Sequence, residues 1–404
     1  MADEPRPQPE SKRIHWRNIL IAALLMVATM PGRTQGLGLI TEPLLRDLQL
    51  DRVTYANLNL WATLLGALIC LPAGGLFDKL GLRWTSSAIV LLLSAVVWQM
   101  SGMAGGVVIL FTWLLLTRAL GQSALSVASI SLAGKSSKGG EGMAMGVYAT
   151  ALSVLFAIAF VVVGKSIETN GWRTAWNQLA LALAFGVVPL TILFLREPER
   201  VAKQTTEHLP GASLEAALRT RVFWVFAAAT ALFGLVSSGL GLFNEAVLAE
   251  AGFDAATYHS FLAATFIFGL LGQMLCGWLA LRRPMPALMS VGMLLYAVGL
   301  LGLPLVHAQW QLWMLAAIMG AAGGFITVIF FAVWGQAFGR RHLGRIQGAA
   351  QMLSVFASAL GPLLFAECHA RAGSYAPLLY GLVPVVLITG FLAWRTKLPR
   401  EARG

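Results

Sequence analysis

Two arginines lie inside long apolar segments, where an isolated charge is energetically costly. Arg33 lies in the stretch Pro31-Gly-Arg-Thr-Gln-Gly-Leu-Gly38, and Arg118 begins the stretch Arg-Ala-Leu-Gly-Gln-Ser-Ala. A guanidinium binds a carboxylate through two parallel N–H···O bonds, so an arginine in such surroundings can hold an anion. For Arg33, anion binding is favoured over a hydrogen bond between helices. For Arg118, a structural or coupling role is favoured over direct contact with a ligand.

The apolar segments that surround these arginines predict an all-α membrane protein. Of the 404 residues, 57% are hydrophobic and only 12% are charged, whereas a soluble domain has about 25% charged residues. The mean hydropathy is +0.73. A bilayer core about 30 Å thick requires roughly 20 apolar residues per helix. On this basis the sequence predicts twelve spans, numbered here in chain order: 18–40, 55–77, 84–103, 107–133, 142–165, 175–195, 222–246, 258–281, 286–305, 309–334, 345–366 and 375–394.

The distribution of basic residues predicts that both termini are cytoplasmic. Of the 29 Lys and Arg residues, only five fall in the predicted outer loops: Arg46, Arg52, Lys165, Arg173 and Arg371. Cytoplasmic loops are typically rich in Lys and Arg, so the net charge of +11 requires no nucleic acid as a partner. The predicted organisation has two helical bundles, a linker between them and two cytoplasmic tails: 1–17, 18–195, 196–221, 222–394 and 395–404.

The two bundles resemble each other in sequence. Shifting the second half by 202 residues aligns small residues of matching type: Ala62-Thr63 with Ala264-Thr265, Gly75 with Gly277, Gly142 with Gly344, and Gly146 with Gly348. Because each half has an even number of spans, both repeats have the same orientation in the membrane.

Three motifs carry a resemblance to a known family. Residues 74–84 between spans 2 and 3 fit the pattern G-x-x-x-D-[RK]-x-G-x-[RK]. The Arg118 stretch in span 4 and the stretch Gly344-Arg-Ile-Gln-Gly in span 11 match further motifs. Over essentially its whole length, the sequence resembles bacterial transporters of the major facilitator superfamily, nearest to branches that carry monocarboxylates and other organic anions.

The resemblance implies a fold of two parallel six-helix repeats, with spans 1, 4, 7 and 10 along a central path. It also implies a cytoplasmic gate formed by the charged motif residues: Asp78, Lys79, Arg83 and Arg345. The second copy of the loop motif is incomplete, because Ala280 occupies the position of Asp78. Asp78 could instead be a loop carboxylate that only fixes topology.

Several polar residues of the path helices are candidates to bind a substrate beside the two arginines. They are Thr34, Gln35, Ser237, Ser238, Asn244 and Thr327, together with Tyr148 of span 5, although such a residue is more often a contact between helices. The repeat counterparts of the arginines are the uncharged Leu235 and Gly320. The acidic residues Glu42 and Glu245 fall at outer helix ends, where they are candidate proton sites. The excess of positive charge inside the membrane favours an anionic substrate.

The sequence gives no indication of enzymatic or metal chemistry. It contains no P-loop, no HExxH motif and no Cys or His spacing typical of a metal site, and we expect no cofactor. We therefore expect a secondary active transporter of a small organic anion, by proton symport or anion exchange, acting as a monomer in a bacterial inner membrane.

Two alternatives remain open. One is a proton-coupled efflux antiporter for hydrophobic drugs, although Ala157-Ile-Ala-Phe replaces its Gly-Pro motif in span 5. The other is a sensor on the same fold that transports nothing. The monocarboxylate assignment itself has a weakness, because those carriers have charged residues in span 8, whereas 258–281 has none.

Overall fold

The structure is a computed structural model that describes residues 13–69, 76–77, 80–138, 141–197, 211–339 and 343–398. The described chain is almost entirely helical, as expected. In the first half the helices are Trp16–Ala28, Thr34–Leu48, Arg52–Ala67, Leu82–Ser101, Val107–Thr117, Ser126–Lys135, Glu141–Leu181 and Val188–Phe194. In the second half they are Leu214–Leu218, Arg221–Glu250, Ala255–Ala280, Met285–Gly302, Gln309–Phe338, Leu343–Ala372 and Ala376–Arg395.

Shorter elements join or interrupt these helices. Two 3₁₀ turns occupy Met30–Gly32 and Leu303–Leu305, and two π-helical segments occupy Arg118–Leu125 and Ala182–Val187. The two-residue strands Arg13–Ile14 and Ser137–Lys138 pair in antiparallel fashion.

Nine helices in the described part of the chain are long and apolar enough to cross a membrane. One of them, Val147–Phe194, contains both span 5 and span 6, which Gly171 separates with a φ of 79°. Spans 1 and 2 are not among these nine. Span 1 is broken into shorter helices, and the helix of span 2 ends at Ala67, shortly before residues that are not described.

The break in span 1 departs from the continuous helix 18–40 expected from the sequence. The chain runs through the helix Trp16–Ala28, the 3₁₀ turn Met30–Gly32 and the helix Thr34–Leu48. Pro31 has no N–H to continue the ladder of helical hydrogen bonds, and Gly32 adds backbone freedom. Arg33 consequently adopts an extended conformation, with φ −92° and ψ 151°. The second helix then continues past residue 40 to Leu48.

Among the described residues, the main helix contacts between the two halves are span 1 with span 7, span 2 with span 11, and span 5 with span 8. Spans 1 and 7 approach so closely that a Cβ on Gly38 would lie 2.0 Å from the carbonyl oxygen of Gly241. Both glycines lie in the outer half of their helices, in the orientation that the charges predict, and we call this end the outer end. The glycine contact therefore allows the two halves to close there.

Adding a methyl group at this contact should prevent closure. In Gly38→Ala, the new Cβ would clash with the backbone of span 7, so we expect the outer ends of spans 1 and 7 to move apart. Distances between spin labels at Arg46→Cys and Ala249→Cys, with the natural cysteines replaced, measure this separation. Gly277→Ala is the matched control, because nothing lies within 4 Å of a Cβ there. An unchanged distance distribution in Gly38→Ala would contradict the assignment.

Candidate functional site

A cavity of about 460 Å³ lies between the two halves. Spans 1 and 5 line it on one side, and spans 7, 8, 9 and 10 line it on the other. Among the described residues that line it, Arg33 is the single charged one. The uncharged polar lining residues are Gln35, Ser153, Ser237, Asn244, Thr265, Gln273, Tyr296 and Thr327. Most of the remaining surface is apolar, so the cavity combines one cation with an otherwise neutral wall.

Neutral groups hold the Arg33 side chain in place. Its Nε donates to the Thr29 hydroxyl at 2.6 Å, and its Nη2 contacts the Met26 sulfur at 2.7 Å and the Ser126 hydroxyl at 3.2 Å. Its guanidinium carbon lies 5.6 Å from the centre of the Phe156 ring. No carboxylate of the described residues forms an ion pair with it. The Arg33 charge is therefore oriented without being neutralised.

Arg118 is arranged differently, although its setting in the sequence is similar. Its side chain is 1% exposed and is absent from the cavity lining. Its Nη1 donates to the carbonyl of Gly32, the hydroxyl of Thr34 and the side-chain oxygen of Gln122, and its Nη2 donates to Asn59. These bonds join spans 1, 2 and 4. The geometry thus favours a structural role for Arg118, and Thr34 is one of its acceptors.

The other candidates divide between the cavity and the helix contacts around it. Gln35, Ser237, Asn244 and Thr327 line the cavity with Arg33. Tyr148 and Ser238 are buried outside that lining. The Tyr148 hydroxyl lies 2.9 Å from that of Ser129, which donates to the carbonyl of Ala22.

Aromatic residues of spans 5, 8 and 9 form parts of the cavity wall that sequence reasoning missed. The rings of Phe156 and Phe266 stack at 5.6 Å across the two halves, and Phe160 packs against Phe266 at 5.0 Å. The Tyr296 hydroxyl lies 2.9 Å from that of Ser237. Phenylalanines that face a cavity and those that face lipid look alike in a sequence. A polar residue at the same depth, such as Ser153 or Thr265, was the available signal.

The family model for the Major Facilitator Superfamily matches residues 20–248 and 226–404. The chain belongs to the major facilitator superfamily. Comparison with curated protein sequences finds no match.

Solved facilitator structures share the fold. A bacterial homologue of the human lysosomal transporter Spinster, inward-facing and occupied, has a TM-score of 0.70 at 17% identity, and 96% of this chain and 98% of that chain are covered. The nucleoside transporter NupG has a TM-score of 0.74 at 13% identity, with 95% and 100% covered. The predicted facilitator fold, with twelve spans in two parallel six-helix repeats, is confirmed. The protein is a multi-pass membrane transporter, and members of this family are generally not enzymes.

The predicted gate residues of this facilitator are described only in part. Asp78 and Lys79 lie outside the described residues, and Arg345 lies in the first turn of the helix Leu343–Ala372. The backbone N–H groups of Leu82 and Arg83 donate to the Glu197 carboxylate at 3.0 and 2.6 Å. Glu197 thereby binds the N-terminus of span 3, where an anion is favoured by the helix dipole.

The two candidate proton sites lie at the outer end of the facilitator. The Oε1 of Glu42 accepts hydrogen bonds from Nε and Nη2 of Arg52, at 3.1 and 3.0 Å. The Oε2 of Glu42 accepts a further hydrogen bond from the same Nη2, at 2.9 Å. Glu42 and Arg52 line a separate outer recess. Glu245 is half-buried one residue after Asn244 and is not part of the cavity lining.

The contrast between the two arginines yields a prediction about stability. Arg118→Gln should leave the Gly32 carbonyl and the Asn59 amide without a donor, at a cost of about 2 kcal/mol or more in the free energy of unfolding. Thermal unfolding of the purified variant measures the loss. Arg371→Gln is the control, because the Arg371 side chain is 82% exposed and its pairing with Glu367 should contribute little. A wild-type unfolding midpoint in Arg118→Gln would refute the structural role.

Proposed function

We propose that this transporter carries a small organic anion with a single carboxylate, most simply a monocarboxylate with an apolar body. The observation that carries the proposal is the guanidinium of Arg33, which has no carboxylate partner among the described residues and lies in a cavity whose other described lining residues are uncharged. A guanidinium and a carboxylate have matching planar geometry and form charge-assisted hydrogen bonds. Arg33 is accordingly the principal substrate-binding residue, and Gln35, Ser237, Asn244 and Thr327 assist it.

The charge of the cavity limits the charge of its substrate. One carboxylate neutralises Arg33, whereas the second carboxylate of a dianion would have no partner among the described lining residues. Burying an unpaired charge is strongly unfavourable. A cation would be repelled by the guanidinium. The cavity therefore favours a monoanion over a dianion or a cation.

The walls of the cavity suit an apolar substrate body. Phe156, Phe233 and Phe266 are among the aromatic side chains that line it, and the cavity volume of about 460 Å³ fits a small molecule. The hydroxyls of Ser237 and Thr327, on the opposite side from Arg33, can bind remaining polar atoms of the substrate.

Binding of the anion also supports an alternating-access cycle. The proposed moving bodies are the predicted bundles 18–195 and 222–394, which rock around the central site. Closing the cavity around an empty Arg33 would bury an unpaired charge, and a bound carboxylate lowers that cost. Transport would proceed by anion exchange or together with a proton, in a bacterial inner membrane with both termini in the cytoplasm.

Efflux of hydrophobic drugs is the second candidate, because the cavity wall is largely apolar. The charge of Arg33 disfavours lipophilic cations, and the described lining residues include no carboxylate to bind them. An uncharged drug would make no use of Arg33. The response of binding to loss of the arginine therefore separates the two functions.

Replacing Arg33 should remove anion binding without unfolding the protein. In Arg33→Gln, loss of the charge-assisted pair should weaken monocarboxylate binding by about 30-fold, equivalent to about 2 kcal/mol. Arg33→Lys keeps the charge but loses the planar fork, so its affinity should lie between those of Arg33→Gln and the wild type. Binding is measured by calorimetry on purified protein, with thermal unfolding as the check on folding.

Arg46→Gln is the matched control, because Arg46 is an exposed arginine on the helix Thr34–Leu48, which begins directly after Arg33, and lies outside the central cavity. Its affinity for the same monocarboxylate should equal that of the wild type. Wild-type affinity in Arg33→Gln would show that Arg33 does not bind the substrate.

A further inference from the structure

A histidine and a glutamate join the two halves of the protein at the outer end. His259 lies in the first turns of span 8, and Glu168 lies near the outer end of span 5. The His259 Nδ1 is 2.7 Å from a carboxylate oxygen of Glu168. Because spans 5 and 8 belong to different halves, this hydrogen bond exists only while the outer end is closed.

The two partners differ in their access to water. The His259 side chain is 5% exposed and that of Glu168 is 34% exposed. The His259 ring sits over Gly164, where a Cβ would lie 2.6 Å from the imidazole Cγ. The second ring nitrogen, Nε2, is buried and has no hydrogen-bond partner among the described residues. In the closed interface, the Nδ1 of His259 thus has a hydrogen-bond partner, whereas the buried Nε2 has none among the described residues.

This environment favours neutral His259 while the interface is closed. A neutral ring with its proton on Nδ1 donates to Glu168 and leaves only a lone pair on the buried Nε2. A protonated ring would place a second N–H, and a share of positive charge, where no acceptor or water is available, which is unfavourable. When the halves separate, the ring is hydrated and protonates near its ordinary pKa of about 6.5.

Other groups near His259 do not reverse this difference between the two states. Asp254 precedes span 8, and its hydrogen bonds from Thr257 lower the pKa of its carboxyl, so it stays ionised. It belongs to the same helix end as His259 and accompanies it when the halves separate. The Tyr258 ring lies 5.2 Å from the imidazole and is an uncharged neighbour. From span 5, Glu168 is the charged partner that faces the imidazole.

We propose that His259 and Glu168 form a proton-binding site that controls the outer gate, in which protonation of His259 favours separation of the two halves. The ligand is a proton from the outer side, where Glu168 is partly exposed. The site is distinct from the central cavity and from the candidate proton sites Glu42 and Glu245. Through this site, a low pH on the outer side shifts the transporter toward the state in which its outer end is open.

The size of the effect follows from linkage. If the proton binds only to the separated state, the ratio of open to closed molecules rises by a factor of one plus the ratio of protonated to neutral histidine. Between pH 7.5 and pH 5.5, with an open-state pKa of about 6.5, this ratio should increase about tenfold.

The test follows the distance between the outer ends of spans 5 and 8 by pulsed electron paramagnetic resonance. Spin labels are attached at the exposed positions Asn170→Cys and Ala256→Cys, in protein whose natural cysteines are replaced. The protein is purified and reconstituted without substrate at several pH values, so the readout does not depend on which substrate the transporter carries. We expect the ratio of the long-distance to the short-distance population to grow about tenfold between pH 7.5 and pH 5.5.

Two variants separate the roles of the partners. His259→Gln can still bond to Glu168 but cannot titrate in this range, so its distance distribution should not change with pH. Glu168→Gln retains the histidine, so its pH response should persist. His369→Gln is the control, since His369 is a half-buried histidine at the same end that lies 3.5 Å from Glu250 within the second half. It should respond like the parent protein.

Three results would overturn the proposal: no pH response in the parent protein, a wild-type response in His259→Gln, or closure of the outer end on acidification. The last result, if Glu168→Gln abolished it, would identify an ion pair that holds the gate closed. Should His259→Gln fail to give monodisperse protein, His259→Asn provides the same non-titrating test.

Discussion

The site depends on one constraint: an arginine must remain charged inside the membrane without a carboxylate partner among the described residues. Placing an arginine at the centre of the membrane costs at least about 2.5–3.5 kcal/mol. Its side chain must therefore contact polar groups, water or both. Two such arginines occur in this chain, and the structure accommodates them in opposite ways. Arg118 donates hydrogen bonds from both terminal nitrogens, Nη1 and Nη2, to groups within the first half. Arg33 keeps its charge available to the cavity between the halves.

The break in span 1 makes both arrangements possible. The 3₁₀ turn Met30–Gly32 presents the Gly32 carbonyl to Arg118, and the extended backbone at Arg33 directs that residue away from the regular helix. Gly32 is also required for packing, because a Cβ there would lie 2.1 Å from the carbonyl oxygen of Thr117. The stretch from Met30 to Arg33 therefore sets the position of the Arg33 guanidinium and packs against span 4. Through this packing, the first half holds the binding site in a fixed position.

Much of the fold was predictable from sequence, because hydropathy, charge bias and the repeat are properties of long segments. Arg33 was identifiable for the same reason, since a charge in an apolar run is conspicuous. The distinction between Arg33 and Arg118 was not, because it depends on acceptors such as Asn59 that lie far away in sequence. Phe156, Phe266 and His259 were also missed. Their significance arises from contacts between the two halves, which local sequence patterns do not encode.

The most direct test of the central claim is a comparison of ligand classes by thermal stability of the purified wild-type protein at fixed pH and salt. Monocarboxylates with apolar bodies, dicarboxylates, sugars and lipophilic cations are each added over a range of concentrations. A ligand at about one hundred times its dissociation constant stabilises a protein by roughly 2.7 kcal/mol. The account predicts stabilisation by monocarboxylates and not by the other classes. Stabilisation by lipophilic cations alone would contradict it and would leave Arg33 without a role in binding the substrate.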